Sequence, residues 1–202
     1  VMNTERAPFD NPKVRKAVRL AVDRQELVDT VMGGEAVVSC DTPVAPTDQY
    51  RHNMGCKQNI AEAKKLLKEA GYPNGIEMVI HVSTKEPTWP TIAEVIQQQV
   101  AKAGIKVDIK MTPSKSYWKE TWMKKDVAMT RWNERSADSV LHEVYHSSAK
   151  WNESYYKSSD FDKNLADARG ELDFKKRKAL YEKAQHTLWE QSGTMIPYHV
   201  SK

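Results

Sequence analysis

Apolar residues recur along this chain at two periods. Val14, Ala17, Val18, Ala21 and Val22 follow the i, i+3, i+4, i+7, i+8 spacing of a helix with one buried face. Asn11-Pro12 just ahead supplies a capping side chain and a proline at the first helical position. A second short helix is expected from Gln25 to Met32, stopping at Gly33-Gly34, and residues 35–58, with Pro43, Pro46 and Gly55, read as a long irregular connection. Asn59 caps a third helix that turns Ile60, Ala63, Leu66, Leu67 and Ala70 inward and ends at Gly71.

Period-two segments then alternate with helical ones. Pro73-Asn74-Gly75 turns the chain into a strand over Ile76–Val82. A helix over Thr91–Ala103 places Ile92, Val95, Ile96, Val100 and Ala103 on one face, and after Gly104 the strand Ile105–Met111 alternates Ile105, Val107 and Ile109. A helix carrying Tyr117, Trp118 and Trp122 leads to a third strand at Val127–Trp132. Helices follow at Ser139–Ser147, Phe161–Gly170 and Phe174–Ser192, and Met195–Val200 reads as a final strand. Strand and helix alternating in this way predict an α/β fold, with a mixed or parallel sheet flanked by helices.

Composition narrows the class. The 202 residues, 40% hydrophobic and 29% charged, suit a globular chain with a real core. No apolar run approaches the roughly 18 residues of a bilayer span, and mean hydropathy is −0.70. No signal-peptide pattern opens the sequence. The net charge of +4 is spread over helix faces, as in Lys64-Lys65 and Lys175-Lys176-Arg177-Lys178, so no nucleic-acid partner is expected. Cys40 and Cys56 lack the further Cys or His of a zinc site; they close a short loop in an oxidising compartment, or are two unrelated thiols in a reducing one.

Two segments carry candidate chemistry. His142-Glu143-Val144-Tyr145-His146 matches HExxH, in which two histidines one helical turn apart hold zinc and the glutamate acts as general base. Val140, Leu141, Val144 and Tyr145 form the buried face of that helix and leave the histidines toward solvent; no third-ligand motif follows, although Glu171 lies at a conceivable spacing. A zinc hydrolase is therefore the alternative reading. The segment Trp132-Asn133-Glu134-Arg135-Ser136-Ala137-Asp138 leaves the carboxyl end of a predicted strand, where open α/β sheets bind ligands. Trp132 offers an aromatic face, Asn133 an amide and Arg135 a fork for a carboxylate, while Asp138 either joins them or caps the next helix. No glycine-rich phosphate loop or G-x-S-x-G elbow is present, no cofactor is expected, and Asn152-Glu153-Ser154 is a formal glycosylation triplet only.

Three ordered blocks resemble the family 5 solute-binding proteins, the peptide- and nickel-type receptors of ABC importers. The first is Asn3-Thr4-Glu5-Arg6-Ala7-Pro8-Phe9-Asp10-Asn11-Pro12 through Ala21-Val22-Asp23-Arg24, the second Ala61–Gly71, and the third Phe161-Asp162, Ala168, Asp173, Arg177, Leu180-Tyr181, Gln185 and Ile196-Pro197. The oligopeptide-binding members are the nearest in pattern. The resemblance implies that residues 1–202 form one ligand-binding lobe, the second of a larger two-lobed periplasmic-binding-protein-like receptor of type II. It implies an exported, periplasmic parent, with lipid anchoring left open, whose partners are a peptide or other small solute and integral-membrane ABC permease subunits. It implies no catalysis, and the isolated lobe is expected to be monomeric. Export makes a Cys40–Cys56 bridge credible, although many relatives lack the pair. Peptide-binding relatives show W-x-x-D-Y-x-D-P after the corresponding strand, the first Asp gripping the ligand's amino group; here Arg135 takes that place and Asp138 that of the second Asp. The exchange of carboxylate for guanidinium predicts an anionic ligand group at this point. Ser83, Thr84 and Trp89, which stands between Pro87 and Pro90, are secondary candidates for the cleft.

Overall fold

The structure, a computed structural model, describes residues 1–200. Helices α1 (Pro12–Leu20) and α2 (Arg24–Met32) open it, each begun by a side chain that accepts a backbone N–H, Asn11 from Lys13 and Asp23 from Glu26. Strand β1 (Ala36–Val38) lies inside the stretch expected to be irregular, and pairs antiparallel with β4 (Tyr198–Val200) at the far end of the chain. Helix α3 (Ile60–Glu69), capped by Asn59, leads to β2 (Ile76–Ser83), helix α4 (Trp89–Ala101) and β3 (Ile105–Thr112). β2 and β3 pair in parallel from Ile76↔Ile105 to Ser83↔Thr112, with α4 packed against both.

The two strands begin at a close backbone approach. A Cβ added at Gly75, where φ is +88°, would lie 1.8 Å from the Gly104 carbonyl oxygen. Both the space and the left-handed backbone require glycine there. Gly75→Ala is accordingly expected to cost about 1–3 kcal/mol, read as a lowered thermal midpoint; an unchanged midpoint would mean that the β2–β3 start can open without penalty.

The third strand is much shorter than Val127–Trp132. Ala128 bridges His81 of β2 in parallel and Val127 bridges Met2 antiparallel, but regular pairing stops there. The Tyr117 hydroxyl donates to the Met129 carbonyl (2.6 Å) and lies 3.1 Å from that of His81, closing the strand's carboxyl end. Side-chain bonds described below then draw residues 130–132 aside.

The remaining elements are a helical turn α5 (Ser114–Ser116) running into a π-helical turn over Tyr117–Thr121, a short helix α6 (Ala137–Val140) running into a second π-helical turn over Leu141–Tyr145, and the long helices α7 (Ser159–Gly170) and α8 (Phe174–Gln191). One apolar cluster lies between the parallel sheet and α1, α3 and α4. A second lies between α6, its π turn, α7 and α8, with Phe161, Leu165 and Leu188 fully buried. Arg15 and Arg19 of α1 fasten them together. Arg15 donates to the carbonyls of Phe9, Asp10 and Gln191, and Arg19 to those of Leu188 and Glu190, so two cations complete the carboxyl end of α8. Burial, reinforced by Arg19, lowers the Arg15 pKa to about 10. No helix among the described residues is long and apolar enough to cross a membrane.

Candidate functional site

The segment after the short third strand meets the loop between Cys40 and Cys56. The two cysteines are joined in a disulfide, Cα–Cα 5.3 Å, closing a separation of 16 residues. The tethered loop presents Thr47, Asp48, Gln49 and Tyr50. With Glu134, Arg135 and Ser136 the first two of these line an open depression of about 400 Å³, and a second of about 450 Å³ adjoins it toward Ala137 and Asp138. Asp48 accepts the Ala137 N–H at 2.9 Å, and Thr47 donates to Glu134 at 3.3 Å. Loop and strand exit therefore form one lip.

Within the lip, Arg135 stacks over the Trp132 ring at 5.4 Å. Its guanidinium is bonded to Glu143, which also accepts from Ser139 at 2.7 Å. Asn133 is exposed. Asp138 does not cap the helix: Ser136 does, accepting from Ser139 N at 3.3 Å. Asp138 instead receives two nitrogens of Arg169 (2.9–3.2 Å) and the Tyr181 hydroxyl (2.9 Å), with His142 Nδ1 at 3.2 Å. Burial opposes its ionisation, but these hydrogen bonds and charges outweigh it and hold its carboxyl below the usual carboxylate range.

The secondary candidates separate. Ser83 is buried at the end of β2, its hydroxyl accepting from Lys85 N, whereas Thr84 is exposed. Trp89 is 5% exposed and packs against Tyr117 at 5.7 Å, as part of the first apolar cluster.

The HExxH segment is not the helix that chemistry needs. Leu141–Tyr145 is a π-helical turn and His146 has extended backbone. The histidine rings stack at 5.9 Å and are half-buried rather than solvated, His142 on Asp138 and His146 on Ser148. Glu143 is engaged by Arg135 and Ser139, Glu171 accepts from Asp173 N, and no group of three metal-ligating side chains lies within reach of one ion among the described residues. The glycosylation triplet is buried, Asn152 donating to the Tyr156 carbonyl at 2.7 Å.

One residue escaped the sequence reading. Glu153, inside that triplet and 5% exposed, accepts from the indole nitrogens of Trp122 (2.5 Å) and Trp132 (3.0 Å) and from Thr130 (2.7 Å). Its donors lie 21 to 31 residues away in sequence, so no local spacing marks it. Around it runs a row of rings, Trp118–Trp122 at 5.7 Å on one side and Trp132–Trp151 at 5.8 Å on the other, with Trp118 and Trp151 partly open to solvent.

The architecture and the sequence both have close counterparts. The glutathione-binding protein GsiB of Salmonella typhimurium and that of Escherichia coli are each 32% identical to this chain over its whole length. The chain spans 41% of the length of these relatives. The periplasmic binding protein DppA of Helicobacter pylori, solved with the peptide STSA, superposes with a TM-score of 0.84 at 31% identity, covering 98% of this chain and 40% of that one. A dipeptide-binding protein of Pseudoalteromonas, solved with Met-Leu, gives 0.83 at 26% identity, covering 94% of this chain and 40% of that one. These structures are two-lobed periplasmic binding proteins, so the α/β assignment with helices about a parallel sheet holds. The model of the bacterial extracellular solute-binding proteins, family 5 Middle, matches residues 1–152, and the chain belongs to that family.

Proposed function

We propose that residues 1–202 are one ligand-binding lobe of a two-lobed receptor that captures a peptide or related small solute outside the cytoplasm and delivers it to the permease subunits of an ABC importer. The observation that carries this reading is the match along almost all of this chain with relatives named for binding glutathione and dipeptides. No bond is made or broken: each lobe supplies half of a cleft, hinge closure buries the solute, and the closed form docks on the permease. The lobe itself acts as a monomer, and the membrane-side arrangement of the parent, free or lipid-anchored, is independent of this mechanism.

Within the cleft, Trp132, Asn133, Arg135 and Thr84 face the solute. Arg135 stands at the lip with about a third of its side chain open, 34%. It meets a ligand carboxylate in competition with Glu143, which lowers the gain. Native mass spectrometry of the intact receptor, purified without added ligand, tests the function. An added mass of a small peptide or acid is expected; an added mass of one zinc would instead favour the hydrolase. Calorimetric titration with reduced glutathione then tests the arginine, Arg135→Ala being expected to weaken binding about tenfold. Unchanged affinity would remove Arg135 from the site.

A further inference from the structure

The buried carboxylate between the two halves of the aromatic row has no part in the function just described. Among the described residues, the side-chain donors to the Glu153 carboxyl are two indoles and one hydroxyl. They come from two stretches, Trp122 after the π turn that follows β3, and Thr130 and Trp132 on the segment that leaves the short third strand for the lip.

Glu153 is itself rigidly mounted. The neighbouring Ser154 carbonyl receives both Thr4 N and Thr4 Oγ1 at 2.9 Å, the Asn152 side chain donates to the Tyr156 carbonyl, and the Tyr155 hydroxyl reaches the Met123 carbonyl at 2.7 Å. An indole has two free torsions, and a hydrogen bond from its N–H to a buried carboxylate removes that freedom. Because Arg135 stacks on Trp132, fixing the ring also fixes the platform beneath the guanidinium.

We propose that Glu153 is the positioning residue of the cleft. It sets the orientation of Trp132 against Trp122, and through Trp132 that of Arg135, so that the aromatic wall is formed before a solute arrives. Its burial keeps it behind the indoles, and it acts through them rather than on the ligand. The proposal rests on the receptor reading only for its consequence in binding; the orientation of the indoles is separately measurable.

The test uses the intact receptor and four variants: Glu153→Ala, Glu153→Gln, Trp132→Phe, and Glu153→Ala combined with Trp132→Phe. Near-ultraviolet circular dichroism reports indole asymmetry, and titration with reduced glutathione and with the tetrapeptide STSA reports affinity. Glu153→Ala is expected to flatten the indole bands and weaken binding about tenfold. Glu153→Gln, whose amide oxygen can accept while its NH₂ cannot, should fall between wild type and alanine, and it carries the test if the alanine variant does not fold. The double variant should be no weaker than the worse single one, since both break the same link. Wild-type indole bands in Glu153→Gln and Glu153→Ala, or losses that simply add, would overturn the proposal. If the wild-type receptor binds neither probe, the receptor reading loses its support for these solutes, and the indole bands alone still decide the role of Glu153.

Discussion

Asp41→Ala is expected to remove about 3–5 kcal/mol of folding stability, the loss that follows when a buried ion pair is broken from one side. Asp41 and Arg24 are each 3% exposed, with Oδ2 and Nη2 2.7 Å apart. Among the described residues, the other hydrogen bonds of Arg24 go to the carbonyls of Arg19 and Val22, and those of Arg19, equally buried, to carbonyls of α8. Burial lowers the pKa of Arg19, Asp41 pulls it back up and Arg24 pushes it down again, so one carboxylate steadies two cations. Asp41 also accepts Ile196 N at 2.9 Å, which fastens the run into β4, and it does so with φ at +63°. Asp41→Asn tolerates that backbone and can keep the Ile196 bond while losing the charge. Comparing the two by urea denaturation separates charge from geometry: asparagine should lose most of the stability, and alanine more. A loss below about 1 kcal/mol in both would mean that water reaches Arg24 and replaces the carboxylate.

How much of this was legible in the sequence depends on how local each signal is. The α1 stripe is real: Val14, Ala17, Val18, Ala21 and Val22 are all at or below 2% exposure. The alternation in β2 and β3 survives as a parallel pair because each strand's neighbours in sequence, Gly75 and Gly104, also start the pairing. β1 was missed because three residues carry no period and their partner sits at the other end of the chain. The third strand was overextended because Val127–Trp132 has strand-like residues, while the Tyr117 hydroxyl and Glu153, which end it, act from a distance. In the site, the Trp132–Arg135 stack follows from neighbouring positions. Glu143, by contrast, looked like the base of a zinc motif and is the counter-ion of Arg135. A motif gives residue types and spacing; only the turn type, here π rather than α, says which side each residue faces.

Breaking the disulfide is expected to cost about 3 kcal/mol, the loop-closure value for a ring of roughly this size, and to reduce ligand affinity only a few-fold. The stability effect follows from the 16-residue separation that Cys40–Cys56 closes in the unfolded chain. The smaller effect on the site follows from what else holds the loop. Gln185 of α8, fully buried, accepts from Thr42 Oγ1 (2.7 Å) and His52 N (3.0 Å) and donates to the Tyr50 carbonyl (2.7 Å), while Arg177 donates to the Tyr50 hydroxyl at 2.6 Å. These bonds keep Thr47, Asp48 and Tyr50 at the lip after the sulfurs part, so the loop becomes easier to unfold without changing its folded shape. Thermal melts of the oxidised and dithiothreitol-reduced protein measure the first effect, and, on the proposed receptor function, glutathione titration of the same two samples the second. Equal midpoints would show that the bridge adds nothing to the loop's closure. A collapse of binding on reduction would show that the disulfide, not Gln185, shapes the lip. Gln185→Ala inverts the expectation: with the bridge intact the loop stays closed, but the buried Thr42 hydroxyl and the half-buried His52 N–H and Tyr50 carbonyl lose their partner and the wall beside Arg135 loses its fixed position.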